Sequence, residues 1–293
     1  MHKIILIILL STTYIFSNIN AVVSILPVQT FLKAIGGEKV NITVMVQPGN
    51  SPHTYEPKPS QMIAISKANL YLAIDVEFEE VWLPKFRTLN SKMNIVDIAE
   101  GVEKLAMQDA KCDRDSHAEH DTHKHEGHDH KGDDPHIWTD PANVKMIAHN
   151  IFKALVDVDA KNETYYRQNL DTLLKEIDNT DKTIKNILSK LSNSRTFMVF
   201  HPSWGYFAKA YDLKQIAVEV EGKSPKPREL VQLIKEAKKE KVRAIFTQPE
   251  FSDSAAKVIA NELHIPVLKV SPLASNWSEN LINIAKNIAG EDK

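Results

Sequence analysis

The chain has one cysteine, Cys112, in 293 residues, which excludes an intrachain disulfide framework and a cysteine-built zinc finger. It contains no HExxH or GxSxG motif, no glycine-rich phosphate loop and only nine glycines, so the common zinc-protease, serine-hydrolase and nucleotide-binding signatures are missing. Charge of either sign is not in excess: the formal net charge is −2 and the pI is near 6.6, which gives no electrostatic reason to expect nucleic acid or an anionic membrane as partner. No apolar run approaches the ~20 residues of a membrane-spanning helix. The run nearest to one is Ile4 to Leu10, preceded by Lys3 and followed by a polar, small-residue stretch that ends SNINA before Val22. That arrangement is a secretory signal peptide, expected over 1–21 with cleavage after Ala21. No cysteine stands there to carry a lipid anchor, so the mature chain is expected to be soluble and exported, in a periplasm.

What the chain does contain is a large apolar fraction, 43%, with 25% charged residues, enough for two globular lobes. Short β-like runs alternate with helical patterns: AVVSIL then PVQTFLKAIG, NITVMV then SQMIAISKA, LYLAI then FEEVWLPKF, and NIVDI. Strand and helix alternation predicts α/β layers with mainly parallel sheets. A helix is expected from Pro141, with Val144, Ile147, Ala148, Ile151 and Leu155 on one face. From Asn162 to Leu191 there is neither Gly nor Pro, and Leu170, Leu173, Leu174, Ile177, Ile184, Ile187, Leu188 and Leu191 recur at helical spacing. This reads as a long helix joining the lobes, with Asp178 to Asp181 as a place where it can break. TFMVF, QIAVEV, RAIFT and PVLKV, each followed by a helical pattern, form a second α/β unit. The expected organisation is an N-terminal lobe over 22–158 with a histidine-rich loop at 108–134, a connecting helix over 159–192 and a C-terminal lobe over 193–293.

Between His117 and His130 the sequence runs HAEHDTHKHEGHDH, placing His117, His120, His123, His125, His128 and His130 among four carboxylates. Near-neutral imidazoles at pH 7 bind borderline-soft cations, and the carboxylates raise their local concentration. From Gln108 to Pro135 only Ala110, Cys112 and Ala118 are apolar besides the terminal proline, too little to offset the entropy of ordering the backbone, so this accessory metal-collecting loop is expected to be disordered when empty. Cys112 borders it as an optional thiolate.

Three other histidines stand at the ends of expected strands: His53 in SPHTYEP, His136 in DPHIWTDP and His201 in FHPSWGYF. Ligand sites in open α/β sheets gather at the carboxyl ends of strands, so these loops can converge between the lobes. Each has a proline and an aromatic nearby, Pro52 and Tyr55, Pro135 and Trp138, Pro202 and Trp204, suited to stiffening and shielding. Three neutral imidazoles fit Zn²⁺ and leave one tetrahedral position, for water or for Glu219 or Glu221 of VEVEGKSP.

With these motifs in view, the chain resembles the cluster A-I, or ZnuA-type, periplasmic substrate-binding proteins of ABC transporters for zinc and manganese. The resemblance runs through PGNSPHTYEPKPSQ, the histidine loop, DPHIWTDPANV, VFHPSWGYFAKAY, VEGKSPKPREL and TQPEFS. It implies two α/β lobes, a rigid connecting helix and a metal in the cleft, with His53, His136 and His201 at the family's histidine positions. It implies zinc over manganese, because manganese-binding relatives tend to carry a carboxylate where His201 stands. It departs at VSPLASNW, where Ser271 replaces an aspartate that can complete the site in relatives. The function implied is capture of Zn²⁺ by a monomeric, non-enzymatic receptor and delivery to an inner-membrane ABC permease, with a manganese receptor or an exported zinc hydrolase as the alternatives.

Overall fold

The computed structural model describes residues 18–107, 132–191, 194–220 and 222–290. The six loop histidines, Cys112 and Glu221 lie outside the described residues. Two four-stranded parallel sheets form, each flanked by helices, as the strand and helix alternation predicts. The first contains β1 (Ile19–Val23), β2 (Val40–Val44), β3 (Leu70–Ala73) and β4 (Asn94–Asp97) in the order β2-β1-β3-β4. The second repeats that order as β6-β5-β7-β8, with β5 (Thr196–Val199), β6 (Lys214–Ala217), β7 (Ile245–Thr247) and β8 (Val267–Lys269). In each lobe the chain steps outward on one side of the first strand and then returns to its other side. The loops therefore diverge at that switch point and leave a crevice beyond the strand ends.

β1 already begins at Ile19, paired with Val40. The boundary expected after Ala21 thus falls inside the central strand, and a cut there would remove Ile19, Asn20 and Ala21 from its ladder.

The N-terminal helices are α1 (Leu26–Gly36), α2 (Pro59–Lys67), α3 (Glu77–Leu89) and α4 (Pro141–Val158). Pro27, Pro59 and Pro141 sit in the first turns of α1, α2 and α4, where a missing N–H costs nothing. Asp140 caps α4 by accepting from the Ala142 amide at 2.8 Å. The connecting helix α5 (Glu163–Leu188) is unbroken, about 39 Å long at ~1.5 Å per residue. The polar stretch expected as a break is spent on contacts instead. Thr180 is buried, donates to the Glu176 carbonyl and meets Ser278 Oγ; Asp181 accepts from the Tyr211 hydroxyl at 3.1 Å. Beyond it come α6 (Gly205–Ala210), α7 (Pro227–Lys239), α8 (Ser254–Leu263) and α9 (Trp277–Ala289). His264 is the left-handed C-cap of α8. No helix among the described residues is long and apolar enough to cross a membrane.

α5 packs on α1 and α4 at one side and on α9 at the other. As a result one hydrophobic core runs through both lobes, from Val22 and Phe31 through Ile147 and Ile177 to Phe246 and Leu281. A smaller core lies under α7 and α8 around Met198, Leu233 and Ile259. Polar bonds also cross between the lobes: Trp138 Nε1 donates to the Pro272 carbonyl at 2.7 Å, Trp277 Nε1 to the Trp138 carbonyl at 2.7 Å, and Thr30 Oγ1 to the Ser275 carbonyl at 2.7 Å. Continuous packing of this kind favours small loop adjustments over wide hinge motion.

The turn from β3 into α3 is closed by a buried carboxyl. Glu79 accepts from the amides of Ile74 and Asp75 at 2.8–3.0 Å and from the Ser24 hydroxyl, itself 2.7 Å from Tyr71 Oη. Burial pushes this carboxyl up to about 7, although those hydrogen bonds pull the other way. Because the folded value lies above the unfolded one, the folded chain holds the proton more tightly. The associated stability is complete below pH ~4.5, is lost as pH rises towards about 7, and amounts to about 3 kcal/mol. Glu79→Gln keeps the shape and removes the ionisation. Urea unfolding of the apo protein between pH 4.5 and 8 is expected to show the variant gaining on the parent as pH rises; parallel curves would refute it.

Candidate metal centre

All three histidines singled out from the sequence meet beyond the strand ends. His53 is carried by the loop after β2, His201 by the loop after β5, and His136 begins the 3-10 turn Ile137–Thr139 ahead of α4. The ring centre of His201 lies 5.3 Å from that of His53 and 5.5 Å from that of His136. Imidazoles sharing one tetrahedral zinc at Zn–N of about 2.0–2.1 Å have ring centres roughly 5 Å apart, so the spacing fits a common ion. The set is gathered rather than closed: among the described residues no group of three His, Cys, Asp or Glu side chains already stands ready to hold a metal. His53, with a third of its side chain exposed, is the most solvent-accessible of the three rings.

A different carboxylate approaches the Nδ1 of each ring. Glu77 lies 3.0 Å from His53, Asp134 2.7 Å from His136 and Glu219 2.7 Å from His201. An ionised carboxylate only accepts, so in the neutral form of each ring Nδ1 carries the proton and Nε2 is left to present its lone pair. In His201 that Nε2 is buried with no hydrogen-bond partner. A buried, unpaired acceptor is costly unless something occupies the space before it. That space is a cavity of about 20 Å³ lined by His53, His136, His201, Glu77 and Glu250, which is room for one or two water-sized bodies. Outside it opens a cleft of about 1000 Å³ carrying Asp75, Glu77, Glu80, Asp133 and Glu219, with Lys104 among its lining residues. Such a predominance of negative charge concentrates cations.

The electrostatics follow from these pairings. Burial disfavours the charged form of His53, but the hydrogen bond and charge of Glu77, with the charge of Glu219, outweigh it and raise the ring's affinity for a proton. Burial disfavours ionised Glu77 as well; the His53 hydrogen bond and charge, aided by His136, nevertheless hold it down at about 2. His201 is lowered, because its burial outweighs Glu219. A ring kept neutral at neutral pH is a ring ready to ligate.

Backbone contacts fix the cluster. The His136 amide donates to Asp134 Oδ1 at 2.9 Å, and Tyr206 on α6 donates to the Asp134 carbonyl at 3.1 Å while accepting from the Leu105 amide at 3.0 Å. Gln248, just after β7, donates to the His201 carbonyl at 2.7 Å and accepts from the His201 amide at 3.3 Å. Phe251 stacks on the His201 ring at 5.1 Å. The aromatics expected as shields are buried: Trp138 packs 5.4 Å from His136, Tyr55 donates to Gln61, and Trp204 lies in the core.

Glu219, one candidate for the fourth position, is engaged behind His201 at Nδ1 rather than at the Nε2 face. Ser271 accepts from the Leu273 amide at 3.1 Å, and it is Pro272 and Leu273 that line the cavity. Sequence reading did not single out Glu77, Asp134, Gln248 or Glu250. Only Asp134, directly before the Pro-His pair, carried any local signal.

Two lobes of matching topology, joined through one core and enclosing a small imidazole-lined cavity, define a cleft-type binding protein. Comparison with known proteins makes this specific: residues 21–290 match the family described as zinc-uptake complex component A, periplasmic, and the chain belongs to that family. The fold agrees. A crystal structure of ZnuA superimposes with a TM-score of 0.82 at 39% identity, covering 93% of this chain and 98% of that one. A zinc-binding lipoprotein, AdcA of Streptococcus pneumoniae, is 26% identical over 266 residues, covering 90% of this chain but 52% of its own length. The chain thus spans about half the length of that relative. The manganese ABC transporter substrate-binding lipoprotein ScaA of Streptococcus gordonii is 27% identical over 270 residues, covering 88% of this chain and 80% of its own length.

Proposed function

We propose that this chain is the extracytoplasmic receptor of a zinc-uptake ABC transporter: it captures Zn²⁺ as cargo on His53, His136 and His201 and releases it to a membrane permease, without catalysing a reaction. The observation that carries this reading is the buried, unpartnered Nε2 of His201, in a ring whose centre lies 5.3 and 5.5 Å from two further imidazoles, each ring with its own carboxylate at Nδ1. Zinc is favoured over manganese because three imidazoles suit a borderline-soft ion, whereas manganese prefers more oxygen. The resemblance to zinc-named relatives supports the same choice. The N-terminal apolar run and the family's description support an exported, periplasmic setting. In this reading the histidine-rich loop supplies ions to the cleft and does not hold the tight site.

Metal titration of the apo protein tests the reading, with the loop shortened between Asp113 and Lys131. The cut must spare Asp134, which holds His136 at both its amide and its ring. The expected result is one tight zinc equivalent in both forms, manganese bound more weakly, and fewer weak sites in the shortened form. Loss of the tight equivalent on shortening would make the chain a loop-based zinc buffer. Tighter manganese than zinc would make it a manganese receptor.

A further inference from the structure

Among the described residues, four carboxylates bear on the small cavity or its histidines, and three are committed. Glu77, Asp134 and Glu219 each hold one imidazole at Nδ1. The fourth, Glu250, lines the 20 Å³ cavity together with the three histidines and also lines the outer cleft, so it stands at the boundary between them. It is half-buried, and apart from its own backbone amide it has no partner among the described residues. Its position is not left to chance. Gln248, two residues earlier, grips the His201 backbone through two hydrogen bonds, and Phe251, the next residue, stacks on the His201 ring. The other polar groups lining the cavity are spoken for: Ser51 Oγ accepts from the His53 amide, and Ser203 Oγ receives Gln248 Nε2.

Resting on the zinc-receptor reading above, we propose that Glu250 supplies the fourth ligand to the captured ion, completing a three-nitrogen, one-oxygen set. A carboxylate there offsets the charge of a divalent ion among neutral imidazoles, and it fills the tetrahedral position that Ser271 does not reach into the cavity to fill. As a half-buried group that lines the outer cleft as well, a position it shares with His53 and His201, Glu250 is a ligand that water can replace. Its exchange for water opens the site without moving the lobes.

Glu250→Gln tests this, with zinc affinity measured by chelator competition and the visible d–d bands of the cobalt(II) form read in parallel. The expected result is at least about a tenfold loss of zinc affinity, faster chelator-driven release and a changed cobalt spectrum, with the apo thermal midpoint unaltered. Affinity within twofold of the parent, or lost affinity with an unaltered cobalt spectrum, overturns the assignment, the latter because it would mean that Glu250 acts only through its field. Should the glutamine variant lose its fold, Glu250→Asp replaces it. A direct ligand shortened by one methylene changes the cobalt spectrum, whereas a field effect leaves it intact. Histidine variants measured alongside keep the two readings apart: tight zinc retained in His201→Ala refutes the metal centre itself, while zinc lost there and kept in Glu250→Gln refutes only the fourth ligand.

Discussion

His201→Ala is expected to lower zinc affinity by about two orders of magnitude or more. Structural zinc sites with four protein ligands bind with about 10–16 kcal/mol, or roughly 3 kcal/mol per ligand, and each 1.4 kcal/mol is tenfold. His201 should exceed that share. It is the most central of the three rings, standing within 5.5 Å of both others, and its neighbours Phe251 and Gln248 are built around it. Removing the ring also strands Glu219, a nearly buried carboxylate whose Nδ1 partner disappears. The variant is therefore expected to lose some apo stability as well, which His201→Gln should moderate by returning an amide donor towards Glu219. Chelator competition on the three single alanine variants, with apo unfolding curves beside it, checks both effects. Tight binding that survives in His201→Ala would remove the cleft as the binding site.

Much of this architecture was legible in the sequence, for reasons that mark what was not. β1, β3, β5 and β7 announce themselves as short apolar runs between helical periods, because the inner strands of a parallel sheet covered on both faces are buried nearly throughout; the edge strands β2, β4, β6 and β8 carry polar residues and show by their alternation with helices. α5 was visible because Leu170 to Leu188 keep one apolar stripe; its continuity through Asp178 to Asp181 was not, since that depends on Ser278 and Tyr211, which approach only after the lobes have folded. His53, His136 and His201 stood out because histidine is scarce outside the loop and each sat beside proline and an aromatic. Their carboxylate partners did not. The chain has 38 acidic residues, and nothing local separates Glu77 or Glu250 from a solvated glutamate on a helix or turn. What distinguishes them is where the fold puts them, Glu77 beside His53 and Glu250 at the cavity next to His201, which no short-range pattern encodes. Ser271 is the converse case: a position read as a failed ligand proves to be a turn that holds the Leu273 amide, with its neighbours facing the cavity instead.

The seat of Asp134 gives the second large effect. Its Oδ1 accepts both from the His136 amide and from the His136 ring, so one oxygen sets the ring's tautomer and its direction. Asp134→Ala is expected to cost about 10- to 100-fold in zinc affinity, the range seen when the carboxylate behind a ligating histidine is removed. The other oxygen explains a glycine across the lobe boundary. A Cβ on Gly205, the first residue of α6, would lie 2.5 Å from Asp134 Oδ2, well inside contact distance. Gly205 has no left-handed backbone that would itself forbid alanine, so Gly205→Ala acts through this contact alone. An aspartate free to rotate would yield cheaply. Here the side chain that must yield is the one pinning His136, while Tyr206, the next residue on α6, holds the Asp134 carbonyl in place. Gly205→Ala should therefore weaken zinc binding about tenfold while leaving the apo fold intact, and combining it with Asp134→Ala should add little, since both act on the same oxygen pair. That non-additivity is the decisive measurement. If the double variant loses the product of the two single effects, Gly205 makes room for something other than the carboxylate that aims His136.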